Sequence, residues 1–295
     1  MAHGTPRSLD EMPAYLTRVR GGRPPSPELV EEITGNYAAI GGRSPLTDIT
    51  LQQRNALRER LGPNVRVLVG MRNWDPLIAD VLPALAGSGV RRVIGIPLAP
   101  QFSTLSVQKY VDAATAALPA NMSFECVPSY HGHPLLHEAF AERIREIGLP
   151  TAGEEVIFTA HALPERVIRG GDPYRDQVVE TAAGVAARAG IANWRLAFQS
   201  AGRTPEPWIR PDIGEMLREL AAAGTRRALV VPVGFVCDHT EILFDIDVQA
   251  ARIARDCGVE LRRSPSLNTS PVFIALLEAL VRAAGPCRPD GNALA

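Results

Sequence analysis

Gly89-Val-Arg-Arg-Val-Ile-Gly-Ile-Pro97 returns in outline as Gly224-Thr-Arg-Arg-Ala-Leu-Val-Val-Pro232; the first residues and the last residues of the two stretches both differ by 135 in number. Each stretch is a glycine, a basic pair and a short apolar, β-prone run closed by proline, the pattern of a strand entered from a helix. The helices expected before them keep the same register, Leu82 with Leu217 and Leu85 with Leu220. A second echo pairs Ala2-His-Gly-Thr-Pro6 with Ala160-His-Ala-Leu-Pro164. Two echoes in the same order point to an internal duplication of one α/β unit.

The rest of the chain supports that unit. Val65–Gly70, Val93–Leu98, Ser123–Val127, Glu155–Thr159, Trp194–Gln199, Ala228–Val233 and Val259–Arg262 read as strands. Amphipathic stretches separate them: Pro76–Ala86, Pro134–Ile147, Gln177–Ala189, Asp212–Ala223 and Glu241–Asp256. Such alternation implies parallel sheets covered by helices on both faces. The expectation is an α/β fold of two similar Rossmann-like domains, 1–150 and 151–269, divided where Gly, Pro and Thr cluster near Pro150–Glu154. A last helix, about 270–285, is expected to pack back on the first domain, and the tail after Gly285 to fray. Ligands of open parallel sheets bind beyond the carboxyl ends of the strands, so the active site is expected in the interdomain cleft.

Composition narrows the partners. A net charge of −1 over 295 residues argues against nucleic acid, which asks for a basic face. No apolar run is long enough for a membrane span, and Met-Ala-His-Gly-Thr-Pro lacks the features of a signal peptide. Cys126, Cys237, Cys257 and Cys287 form no CxxC pair. A cytoplasmic protein with reduced thiols is expected.

Under the 135 offset, Ser103, Thr104 and Ser106 correspond to Asp238, His239 and Glu241. One half is hydroxylic where the other is ionisable, which suggests a division between holding a ligand and handling protons or metal; drift after duplication explains it as well. His161 follows the strand, and Glu241 has Asp245 one helical turn on. An imidazole and a carboxylate at one cleft suit a borderline divalent metal or a proton relay, although each is also ordinary for a strand end and a helix start. His131, His133 and His137 read either as a metal cluster or as a solvated loop entering a helix. Trp208 is a wall for a flat ligand or a plug at a domain edge.

Several longer motifs carry a resemblance. Tyr37-Ala-Ala-Ile-Gly-Gly-Arg-Ser-Pro-Leu46, Leu98-Ala-Pro-Gln-Phe-Ser-Thr-Leu-Ser-Val-Gln-Lys-Tyr110, Thr159-Ala-His-Ala-Leu-Pro-Glu165, Gly171-Asp-Pro-Tyr174 and Val231-Pro-Val-Gly-Phe-Val-Cys-Asp-His-Thr-Glu241 stand in one order along the chain. Phe198-Gln-Ser200 with Pro207-Trp208 joins them. Together they resemble the ferrochelatases over nearly the whole length, and most the branch that uses coproporphyrin III. The resemblance implies a class II chelatase-like fold and a lyase of haem biosynthesis, with Fe2+ and a porphyrin as substrates. It implies His161 and Glu241 at the metal, with Asp245 continuing an acidic helix face. It places His3 where that branch often has a tyrosine, axial to the product iron. Arg20, Tyr37, Ser44 and Tyr110 match positions at the porphyrin rim. Asn36 stands where the branch usually has an arginine and Gln249 where an acid is common; Arg43, in the adjacent turn, is the expected replacement for the missing charge.

Further expectations go with it: protoporphyrin IX as the other porphyrin, no iron–sulfur cluster because the cysteines are unclustered, a monomer, and transient contacts with other haem-pathway enzymes. A sirohydrochlorin-type cobalt or iron chelatase and a non-catalytic porphyrin carrier are the competing readings. One expectation concerns the beginning of the first half. Ala160-His161 follows a strand, whereas Met1 alone precedes Ala2-His3. A strand of about six residues is therefore expected ahead of Ala2, and His3 is expected on a loose chain end without it.

Overall fold

The computed structural model describes residues 1–202 and 204–285; Cys287 and the tail after Gly285 lie outside the described residues. The first half contains α1 (Met12–Val19), α2 (Pro27–Ala39), α3 (Leu46–Leu61), α4 (Ile78–Val81), β1 (Arg92–Gly95), α5 (Val107–Ala117), β2 (Ser123–Cys126) and α6 (Pro134–Glu146). The second contains β3 (Glu154–His161), α7 (Glu165–Arg169), α8 (Tyr174–Ala189), β4 (Arg195–Gln199), α9 (Ile213–Ala222), β5 (Arg227–Val231), α10 (Thr240–Leu243), α11 (Ala251–Asp256), β6 (Glu260–Arg263) and α12 (Pro271–Ala283). A π-helical turn, Asp245–Ala250, joins α10 to α11.

The second sheet is four parallel strands in the order β4-β3-β5-β6. Strand side chains alternate between faces, and here both faces are apolar. Val156, Phe158, Leu229 and Val231 belong to a core shared with α6, α8 and α12. Ile157, Ala228 and Val230 belong to a second core under α9, the π turn and α11. Burial on both sides is why these strands read as unbroken apolar runs.

The first sheet is smaller. β1 pairs in parallel with β2, Arg92 opposite Ser123. The stretch Val65–Gly70, expected as a strand, forms none. Only isolated bridges are made nearby, Ala2 with Met71 and Met71 with Leu77, because a β-strand is defined by a ladder partner and most of this segment has none. Pro76–Ala86, expected as one helix, divides into α4 and a 3-10 turn at Pro83–Leu85, where Pro83 supplies no amide hydrogen. Glu241–Asp256 is interrupted by its π turn, in which the Gln249 amide bonds back five residues to the Phe244 carbonyl at 2.8 Å.

His3 is not on a loose end. The Ala2 amide donates to Gly70 O (3.1 Å), the Arg72 amide to Ala2 O (3.0 Å) and the Asn73 amide to His3 O (2.8 Å). On the other side Leu98 N donates to Met1 O (2.8 Å), and the Met1 amine donates to Ile96 O (2.7 Å). Two residues of backbone suffice to fasten the histidine.

α12 packs against α3 and α6, and α6 also packs against α8. One core therefore runs from Leu57 through Phe140 and Leu276 to Phe158, so the halves share buried surface on either side of residues 150–154.

Gly234, just past β5, marks the tightest approach to the end of β3. Its amide donates to Thr159 O (3.1 Å), and a Cβ there would lie 2.7 Å from Ala160 Cβ and 2.8 Å from Ala160 Cα. Gly234→Ala is expected to force these backbones apart and cost about 1–3 kcal/mol, the range for overpacking a filled core. Urea unfolding measures it; an unchanged midpoint would show that the two segments separate freely.

Candidate active site

Three strand ends and one loop build the site. His161 is the last residue of β3, and its carbonyl accepts a hydrogen bond from Tyr174 Oη (3.0 Å). Its Nδ1 donates to the Ala162 carbonyl, so the lone pair of neutral His161 is on Nε2. His239 is fixed the same way, with Nδ1 donating to Cys237 O at 3.0 Å. Both Nε2 atoms turn to one oxygen of Glu241: His161 Nε2 is 3.7 Å and His239 Nε2 3.6 Å from Oε2. Two nitrogen lone pairs and a carboxylate oxygen repel one another unless a proton or a cation joins them. The donor set, two nitrogens and an oxygen, is one that suits ferrous iron without the grip of thiolates.

The electrostatics follow from that crowding. Burial works against the Glu241 charge, but His161, His239 and His3 together hold its carboxyl down at about 2. Burial also lowers His239, yet the hydrogen bond and charge of Glu241 and the Cys237 carbonyl more than offset this and leave its pKa raised. Asp245 is pushed up to about 6, mainly by burial, with the Glu241 charge adding to it and the Ser200 hydrogen bond opposing. Ser200 Oγ donates to Asp245 Oδ2, and Ser200 sits just past β4 at φ 60°, a left-handed conformation uncommon outside glycine.

His3 approaches from the first half. Its Nε2 lies 3.1 Å from Tyr15 Oη and its ring nitrogens 3.1–3.2 Å from Asn73 Nδ2. Burial, assisted by the Arg72 guanidinium, lowers its pKa to about 4, and it feels the charges of Glu241, His239 and His161. Gly4 fixes the chain beyond it at φ 81°, and a Cβ there would stand 2.8 Å from Trp74 N.

Of the other residues singled out in the sequence, Tyr37 is buried and adjoins Tyr15. Tyr110 is buried beneath the Arg72 guanidinium, 5.7 Å from the ring centre. Ser44 is buried, with its hydroxyl accepting from Leu46 N. Arg20 is exposed at the end of α1. Arg43 is exposed and paired with Asp48 at 3.0 Å. Asp238 is spent on structure: it holds Arg263, Ser266 and Asn268.

The three clustered histidines do not converge. His131 Nε2 meets Glu180 (2.7 Å), His133 caps α6, and His137 Nε2 donates to His131 O (2.9 Å). Trp208 plugs an edge, donating to Thr204 and lying against Gly202. Sequence reasoning left His239, Tyr15, Arg72 and Asn73 out of the site. His239 was visible beside Glu241, whereas the other three are ordinary helix and loop residues that only packing brings to His3.

Comparison with known proteins now decides the family. The ferrochelatase family model matches residues 1–284. The chain belongs to the ferrochelatase family. It is 44% identical over 295 residues to the ferrochelatase of Deinococcus radiodurans, covering 95% of this chain and 93% of that protein. It is 36% identical to the coproporphyrin III ferrochelatase of Geobacillus kaustophilus, covering 95% and 93%. Among solved structures, SirB from Bacillus subtilis with Fe3+ aligns with a TM-score of 0.57 at 15% identity, covering 78% of this chain and 88% of that one. CbiX, the terminal enzyme for biosynthesis of siroheme in denitrifying bacteria, aligns at 0.52 and 18%, covering 96% of each. At those identities the structural likeness speaks for a shared class II chelatase fold, in keeping with the parallel sheets described above.

Glu241→Gln tests the electrostatic reading. With the carboxylate gone, burial is the largest influence left on His239, and its pKa is expected to fall from above 6.5 to below it. Histidine ring resonances followed by NMR against pH report this directly; an unmoved His239 titration would break the proposed coupling.

Proposed function

We propose that this ferrochelatase inserts Fe2+ into coproporphyrin III, with His161 and Glu241 as the catalytic pair. The convergence of two imidazole Nε2 atoms on Glu241 Oε2 carries the reading. The insertion exchanges two pyrrole N–H protons for one metal ion. His161 Nε2, with its lone pair free, takes a proton or holds the incoming iron. Glu241 stays anionic and stabilises either charge. Asp245, with its carboxyl at about 6, accepts a proton near neutrality and passes it outward beside Ser200. His239 helps hold the iron and shares the proton load.

The porphyrin is assigned a place between 1–150 and 151–269, since His3 comes from one half and the other three groups from the second. His3, kept neutral by burial, is suited to bind the product iron from the opposite face. Tyr37, Tyr110 and Ser44 form a buried wall on that side, with Arg20 and Arg43 at the rim for carboxylates. Arg43 must exchange Asp48 for the ligand. The same reading has the enzyme working as a cytoplasmic monomer without an iron–sulfur cluster. Burial pushes the thiols of Cys126 and Cys237 up to about 11 and about 12, which disfavours the thiolates a cluster needs.

The test is iron insertion followed by absorbance with coproporphyrin III, protoporphyrin IX and sirohydrochlorin. Coproporphyrin III is expected to react fastest; a faster reaction with sirohydrochlorin would overturn the assignment. In the same assay His161→Ala is expected to lose at least 100-fold in rate, the lower bound for removing a general base. Its porphyrin affinity, measured by fluorescence titration, should stay within a few-fold. Activity near wild type would remove His161 from the mechanism.

A further inference from the structure

Beside Met1 lies an open apolar cavity of about 730 Å³, walled by Val67, Val69, Val93, Ile94, Leu57 and Leu277 among others. We propose that this cavity is the seat of a missing central strand: it receives an extended apolar segment of five residues, joined to the Met1 nitrogen and running parallel between residues 65–70 and β1.

The second sheet supplies the template. There β3 is central, with Glu154–Phe158 opposite Arg227–Val231 of β5 and Ile157–His161 opposite Arg195–Gln199 of β4. The repeats map Arg227–Val231 onto Arg92–Ile96 and Ala160-His161 onto Ala2-His3. Carried across, the residues equivalent to Glu154–Phe158 fall opposite Arg92–Ile96, directly ahead of Met1. The observed backbone already starts this ladder on both sides. Met1 bonds to Ile96 and Leu98, and Ala2 bonds to Gly70 and Arg72.

The walls behave as strand neighbours without their strand. Ala228, Leu229 and Val230 of β5 are fully buried, whereas their counterparts Val93 and Ile94 are only half-buried. Val65 and Leu68 keep 37% and 48% of their surface exposed. The Met1 ammonium sits at the mouth of the cavity, where burial lowers its pKa to about 6. A peptide bond at that nitrogen would remove the buried charge and keep the hydrogen bond to Ile96. At roughly 3.3 Å per residue, five residues run about 17 Å, an ordinary strand.

Two forms of the full chain decide it, one extended at Met1 by Val-Ile-Val-Leu-Val and one by Gly-Ser-Gly-Ser-Gly. The apolar extension is expected to raise Tm by about 5 °C or more and to slow amide hydrogen exchange at residues 66–69 and 92–96 at least tenfold over the polar one. Equal Tm and equal exchange in the two forms would overturn the proposal. If the apolar form does not accumulate folded, the free pentapeptide Val-Ile-Val-Leu-Val, amidated at its C-terminus, is added to the unextended chain. Slowed exchange at the same amides then supports the strand seat, and unchanged exchange at saturating peptide overturns it.

Discussion

The hydrogen-bonded ladder on both sides of β3 is the constraint on which the rest of the molecule depends. Because β4 and β5 flank it in parallel register, all three strands end at one edge of the sheet. His161 is thereby delivered beside Gln199 and Ser200 on one side and the loop to His239 and Glu241 on the other. No side chain in the site needs a long reach, since backbone geometry does the positioning. The close pass of Gly234 over Ala160 locks this edge against spreading.

On that frame the charge pattern is self-consistent. Glu241 is kept ionised by the imidazoles around it, and they in turn acquire their affinity for positive charge from Glu241. Asp245, one step farther along the same helix, feels the same burial without the same rescue and is pushed toward neutrality. Two carboxyl groups on one helix are thus driven to opposite protonation states, a division of labour suited to a reaction that must hold a dication and shed protons.

Much of this was legible in the sequence because it rests on short-range pattern. The strands β3, β4, β5 and β6 appear at their expected places, since fully apolar runs between glycine, proline and basic residues have few alternatives. α9 begins where Asp212 and Glu215 write a capping box. His161, Glu241 and Asp245 were marked by position alone, at a strand end and on one helix face. The failures have physical causes. Val65–Gly70 has strand composition but mostly lacks a partner, and composition cannot report a partner. The π turn is a matter of hydrogen-bond phase, invisible in the spacing of apolar residues. Tyr15, Arg72 and Asn73 reach His3 through tertiary packing, and nothing local sets them apart. His131, His133 and His137 looked like a ligand set because sequence proximity was mistaken for convergence; each turns to a different partner.

The π turn between α10 and α11 has a consequence for how this region can change. A wide turn absorbs one more residue than an α-helical turn in nearly the same rise, so the two ends of the helix are out of phase with each other. The end carrying Glu241 is oriented by the cleft, whereas Ile246, Ala250 and Ala254 are oriented by the core beneath α9. In a continuous α-helix those two demands would be one, and any adjustment of the acids would twist the apolar face out of its bed. With the phase slipped between them, the turn works as a clutch: substitutions can retune the metal-facing acids while the packed end keeps its grip on the sheet.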